Sequence, residues 1–220
     1  MRIQLAVLDM AGTTVADDGL VEKAFTSAIV AQGMDAEPML DHVRKTMGES
    51  KITVFRHLLP SETQAQQANQ AFEVAYARLV DEGHCRPIDG AEKAIRRLKD
   101  EGVKVCLTTG FAEITQRRIL DALGWGDLAN LTLCPAQAGR GRPYPDLVLT
   151  ALLRLGADDV RAVAVAGDTA SDIAAGTSAG AAIVAGVLTG AHSNDQLVAA
   201  GATHVLSSVR DLPDLVLNQE

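Results

Sequence analysis

The chain has 220 residues, 47% of them hydrophobic, and its 20 basic and 28 acidic side chains leave a net charge of −8. That length fits one large domain, or a catalytic domain with a small insert, and no apolar run is long enough to span a membrane. Without a basic run or a basic aromatic patch, nucleic acid is excluded as the main partner. An anionic substrate must then find a local site of metal, backbone amides and a few cations against an unfavourable long-range field.

The opening MRIQLAVLDM is too short and too soon acidic for a secretory signal, and IQLAVL (3–8) reads instead as a first strand. No second strand follows before Pro87. The intervening stretch of about 65 residues is helical in character, QAQQANQAFEVAYARLV (64–80) most clearly, and is too long for a plain loop. A small helical domain is expected at 16–83, with the core formed by 1–15 and 84–220. CRPIDG (85–90) marks the return. Helical and strand patterns then alternate: helices at 90–102, 112–124, 145–156 and 171–180, strands at 103–108, 130–134, 162–166, 181–187 and 203–206. Short continuous apolar runs suit strands buried on both faces, so the expected fold is α/β, a doubly wound, Rossmann-like parallel sheet. Cys85, Cys106 and Cys134 are odd in number and lack C-x-x-C spacing. They read as reduced core thiols of a cytoplasmic protein.

Ligands bind open α/β sheets at the carboxyl ends of the strands. Strand one ends in Asp9, within DMAGTT, and the second in Thr108-Thr109-Gly110. Gly141-Arg142-Pro143 lies after the third, and the fourth ends in Gly167-Asp168-Thr169, with Asp172 one turn onward. Alone, each has an ordinary explanation as a helix cap or a turn. Together and in this order they meet the needs of phosphoryl chemistry. Asp9 can attack phosphorus, and Asp9 and Asp168 can share magnesium while Asp172 holds one of its waters. Thr109 and the next helix N-terminus offer donors to an anion. Arg142 adds a planar cation.

These four motifs resemble those of the haloacid dehalogenase superfamily, over essentially the whole chain. Within it the chain is most similar to the phosphonoacetaldehyde hydrolase (phosphonatase) branch. The resemblance implies a helical cap at 16–83, a magnesium site on Asp9, the Ala11 carbonyl, Asp168 and Asp172, and a homodimer through the caps. Gly12, Thr13 and Gly110 become substrate- or phosphate-binding positions beside Ala11, with Met47 and Gly48 contributing from the cap. TMGESK (46–51) is similar to the segment whose lysine forms a Schiff base with the substrate aldehyde, and Lys51 falls on that position.

Ala11 stands where related phosphatases carry a second Asp, the acid that protonates an alkoxide leaving group and is worth ~10²–10⁴-fold. An imine on Lys51 makes the departing carbon an enamine, which needs no such acid. Lys51 must be neutral to attack, so its pKa is expected to be lowered. The chain departs from the branch at three places. Val54 replaces a histidine three residues after the lysine, with His57 off that face. Phe111 replaces a tyrosine, and Gly19 and Leu20 lie where a cysteine is usual. The expected activity is phosphonoacetaldehyde hydrolysis or that of a close analogue. The alternatives are a phosphate monoester phosphatase of the phosphoglycolate phosphatase type and a non-catalytic phosphoryl-binding protein.

Overall fold

The computed structural model describes residues 2–218. Six strands, β1 (Leu5–Asp9), β2 (Lys104–Thr108), β3 (Leu131–Leu133), β4 (Val163–Gly167), β5 (Ile183–Val187) and β6 (His204–Leu206), form one sheet in the order β3-β2-β1-β4-β5-β6. Every pairing is parallel. The expected strands are all present, with ends shifted by a residue or two.

The central strands alternate strictly. Leu5 and Val7 of β1, with Val163 and Val165 of β4, face one apolar cluster, while Ala6, Leu8, Ala164 and Ala166 face the other. Small and β-branched residues let helices pack close on both sides, so each strand reads as one apolar run.

Between Ala16 and Gly83 the described residues form no strand but four helices: α1 (Leu20–Ala31), α2 (Glu37–Lys45), α3 (Lys51–Leu58) and α4 (Glu62–Asp81). The chain then continues through α5 (Ala91–Asp100), α6 (Glu113–Leu123), α7 (Pro135–Ala138), α8 (Asp146–Leu155), α9 (Ala170–Ala179), α10 (Asn194–Ala199) and α11 (Leu212–Leu217). α5 buries Ala91, Ala94, Ile95 and Leu98, one face at helical spacing. α4 buries Ala65, Ala68, Phe72, Tyr76 and Val80 in the same manner.

Aromatic residues are only 3% of the chain, and most of them converge on one place. Phe25, Phe55 and Phe72 from the insert, Tyr76 beside them and Phe111 after β2 form a chain of ring contacts with centroids 4.5–6.2 Å apart. Burying each of these rings is worth roughly 1.5–3 kcal/mol, so the cluster ties α1, α3 and α4 to one another and joins them to the core through Phe111.

The three cysteines are free thiols, and burial pushes Cys85 up to about 11, away from thiolate reactivity. No helix among the described residues is long and apolar enough to cross a membrane.

Candidate active site

The parallel register aligns the carboxyl ends of the central strands: Asp9 lies opposite Thr108, and Leu8 opposite Ala166, two residues before Asp168. After β1 the chain turns sharply. The Met10 carbonyl accepts from the amides of Thr13, Thr14 and Val15 at 3.1, 2.9 and 2.8 Å, and the Thr14 hydroxyl donates to the Asp9 carbonyl at 2.8 Å. After β4, Thr169 caps α9. Asp172 Oδ2 accepts from the Thr169 amide at 3.1 Å and its hydroxyl at 2.5 Å.

Arg142 joins the two sides. Its Nη1 lies 2.6 Å from Asp9 Oδ1 and also donates to Asp172 Oδ1. The Nε of Arg142 is buried without an acceptor, a donor left for an oxyanion. Asp168 is fixed separately: Oδ1 accepts from the Thr13 hydroxyl at 3.1 Å, and Oδ2 from the Ala191 amide at 2.8 Å. Gly12, at φ +87°, touches this carboxylate so closely that any Cβ would collide with it.

Asp9, Asp168 and Asp172 are each at most 5% exposed, and oxygens of all three lie within 4.8 Å of one another. Burial outweighs the Arg142 pairing and pushes Asp9 up to about 7, with the Asp172 carboxylate adding to the rise. Burial, then the charges of Asp9 and Asp172, push Asp168 well above the carboxylate range. Three carboxylates against one guanidinium leave buried negative charge that a divalent cation would neutralise, and an all-oxygen donor set fits magnesium. Asp172 has both oxygens engaged by Arg142 and Thr169, and Asp168 has both engaged by Thr13 and Ala191, neutral donors that leave its charge uncompensated.

Magnesium at 100 times its dissociation constant should therefore stabilise the fold by about 2.7 kcal/mol. In a chain of this size that raises Tm by roughly 5–10 °C. The shift should be larger at pH 8 than at pH 6, because protons compete for the same oxygens. Thermal unfolding with EDTA and with millimolar magnesium reads this directly, and identical melting curves would remove the metal assignment.

The insert supplies the opposite wall. Lys51 begins α3, is 6% exposed, and lies with Nζ 5.1 Å from the Phe111 ring centroid, 5.8 Å from Phe25 and 6.0 Å from Phe72. Among the described residues it forms no side-chain hydrogen bond, and no carboxylate lies within 4.0 Å. Burial lowers its pKa to about 8, against the opposing pull of Asp17 and with a contribution from Arg142.

Backbone fits against backbone where the insert meets the core. Gly48, at φ +86°, lies on the Thr169 hydroxyl, and Gly110 lies against the carbonyls of Gly48 and Glu49. The cavity between them has a volume of about 470 Å³ and is lined by Asp9, Lys51, Thr109, Arg142 and Asp168 among others.

Of the residues expected from the sequence, Asp9, Ala11, Met47, Gly48, Lys51, Thr109, Gly110, Arg142 and Asp168 line this one cavity, and Asp172 stands behind Arg142. The Gly12 amide donates to the Val15 carbonyl, and the Thr13 hydroxyl donates to Asp168. His57 stacks on His42 at 4.3 Å, away from Lys51. Two features went unnoticed in the sequence: Asp17, and the Thr189-Gly190-Ala191 loop after β5. The loop had a signal, since strand five also ends at this edge of the sheet, in VLTG.

A family model described as haloacid dehalogenase-like hydrolase matches residues 3–180. A phosphonoacetaldehyde hydrolase of Bacillus cereus is 30% identical over 198 residues, covering 82% of this chain and 74% of that protein. A phosphonoacetaldehyde hydrolase of Bacteroides fragilis is 27% identical, with 98% and 96% covered. Among solved structures, a phosphonoacetaldehyde hydrolase-like protein from Oleispira antarctica superposes with a TM-score of 0.86 at 23% identity, covering 99% of this chain and 92% of that one.

Proposed function

The chain belongs to the haloacid dehalogenase-like hydrolases, and on that footing we propose that it cleaves the carbon–phosphorus bond of phosphonoacetaldehyde or a close analogue. The observation that carries this reading is Lys51. A buried ammonium without hydrogen bonds or ion pairs is costly, and nothing in the packing of α3 requires one. A primary amine with a pKa of about 8, aimed into the cavity that holds Asp9, suits attack on a carbonyl near neutral pH. The relatives named phosphonoacetaldehyde hydrolase support the same substrate.

In this reading Lys51 condenses with the aldehyde, releasing water. Asp9 then attacks phosphorus, and the electrons of the carbon–phosphorus bond pass into the imine to leave an enamine on Lys51. Water later hydrolyses both the aspartyl phosphate and the imine, giving phosphate and the aldehyde. Arg142 and Thr109 hold the phosphoryl oxygens, and the Arg142 Nε is the donor still free to do so. A magnesium ion on Asp9, the Ala11 carbonyl and Asp168 would neutralise phosphoryl charge. The insert acts as a cap whose closure excludes water and brings Lys51 over Asp9. Ala11 fits this scheme, since an enamine leaving group needs no alkoxide acid.

The test is reduction with borohydride during incubation with phosphonoacetaldehyde and magnesium, followed by peptide mass spectrometry. The expected result is a reduced adduct on Lys51. Phosphate release from phosphonoacetaldehyde with no adduct anywhere on the chain would refute the imine route.

A further inference from the structure

Imine chemistry at Lys51 needs a proton donor and acceptor near Nζ. The carbinolamine loses its hydroxyl only as water, and the enamine left after carbon–phosphorus cleavage must gain a proton on carbon. Five charged groups act on Lys51: Asp17, Arg142, Asp9, Glu73 and Glu49, and Glu49 does not line the cavity. Arg142 is bound to Asp9 and Asp172 and keeps its proton throughout the neutral range. Asp9 is committed to phosphorus. Glu73 accepts the Thr115 hydroxyl and the Ala112 amide, and it does not line the cavity. The Tyr76 hydroxyl is fully buried behind the rings.

Asp17 is different. It lies in the segment leading into α1 and lines the cavity together with Lys51. Its Oδ1 accepts from the Val21 amide at 3.0 Å, which orients the carboxyl without neutralising it. No ion pair joins it to Lys51 within 4.0 Å, so a substrate oxygen or a water can lie between the two.

We propose that Asp17 is the acid–base residue of the imine steps, a role that rests on the function proposed above for Lys51. As the neutral amine attacks, a nitrogen–carbon bond forms, protonated Asp17 gives its proton to the carbonyl oxygen, and the Asp17 carboxylate takes up the proton that the Lys51 nitrogen sheds, leaving a neutral carbinolamine. Asp17 then gives that proton to the hydroxyl, the carbon–oxygen bond breaks, and water leaves an iminium beside the Asp17 carboxylate. After phosphoryl transfer, Asp17, reprotonated from solvent, protonates the enamine carbon. Its carboxylate then accepts a proton from the water that adds to the iminium, and the aldehyde and the free amine are released.

The local electrostatics suit this exchange. Burial raises the Asp17 carboxyl, with Asp18 adding and Lys51 opposing, while burial lowers Lys51 to about 8. The two proton affinities therefore approach each other. Tyr76 is the other titratable group facing Asp17.

Asp17→Asn keeps an oxygen for the Val21 amide but cannot transfer a proton, and Asp17→Ala removes both. Each variant is incubated with phosphonoacetaldehyde and magnesium, with phosphate release, Lys51 trapping by borohydride and Tm recorded. The expected result is a loss of ~10²-fold or more in both variants, slower trapping at Lys51, an unchanged Tm for Asp17→Asn, and partial rescue of Asp17→Ala by added formate. Activity of Asp17→Asn within about threefold of the parent, or a loss that formate leaves untouched, would make Asp17 a helix cap only. A parent chain that releases phosphate without ever being trapped at Lys51 would overturn the Lys51 reading itself, and this role with it.

Discussion

Lys51→Met is expected to release phosphate from phosphonoacetaldehyde at least ~10³-fold more slowly than the parent chain, and yet to unfold at a higher temperature. The loss follows from chemistry: a thioether forms no imine, and without one the departing carbon is an unstabilised carbanion. The gain follows from burial. The Lys51 pKa falls from the ordinary 10.5 to about 8, and at ~1.4 kcal/mol per pH unit the ammonium costs the folded chain roughly 3 kcal/mol at pH 7. Methionine in the same cage meets three aromatic rings, which it packs against well.

The sign of the pH dependence is fixed. Between about 8 and 10.5 the unfolded chain binds the lysine proton more tightly than the folded chain does. Stability of the parent therefore rises over that window, and below it the whole cost is present. The variant lacks this rise, so its advantage should be full below pH 8 and fade towards pH 10. Urea unfolding of both proteins across that range checks it. A variant that keeps full activity on phosphonoacetaldehyde at unchanged stability would make Lys51 a bystander. Hydrolysis of a simple phosphate monoester, surviving in the variant at the parent rate, would point to the phosphatase alternative.

Arg142→Ala carries the largest expected loss of stability, about 3–5 kcal/mol at pH 8. Its guanidinium touches both Asp9 and Asp172, each almost wholly buried, with Asp168 close behind. Removing it leaves buried carboxylates facing one another. Protonation relieves that repulsion. The raised Asp9 value means that the folded chain holds the proton more tightly than the unfolded one, so the loss should grow as pH rises through about 7. At pH 5.5 it should be much smaller, and magnesium should restore part of it at pH 8. Phosphate release should fall by ~10²–10³-fold, the range for removing one donor to an oxyanion. Denaturant unfolding at the two pH values, with and without magnesium, is the measurement. A loss that is the same in all four conditions would mean that Arg142 acts by packing alone.

The sheet was legible because its chemistry is local. LAVLD and VAVAG can hardly be anything but strands buried on two faces, and Asp9 and Asp168 follow from where those strands stop. Lys51 was legible only through resemblance. At the head of an amphipathic helix a lysine looks solvated, and its burial depends on Phe25, Phe72 and Phe111, which lie far apart in sequence. Asp17 was hidden for a related reason: an Asp-Asp-Gly run reads as a turn, and only tertiary packing turns one of its carboxyls toward the cavity. The bond from the Thr13 hydroxyl to Asp168 was hidden too, because a sequence places a hydroxyl on a loop without saying which way it points.

The position of β1 at the centre of the sheet also governs how the chain must assemble. β1 is made first, but its neighbours begin only at Lys104 and Val163. Until both have emerged during synthesis, an apolar strand stands with unpaired edges, the kind of segment that chaperones shield and that aggregates when left bare. The nucleophile is therefore carried by the strand that waits longest for its partners. The centre that performs the reaction comes into being only when β4 closes on β1 and sets Asp168 beside Asp9.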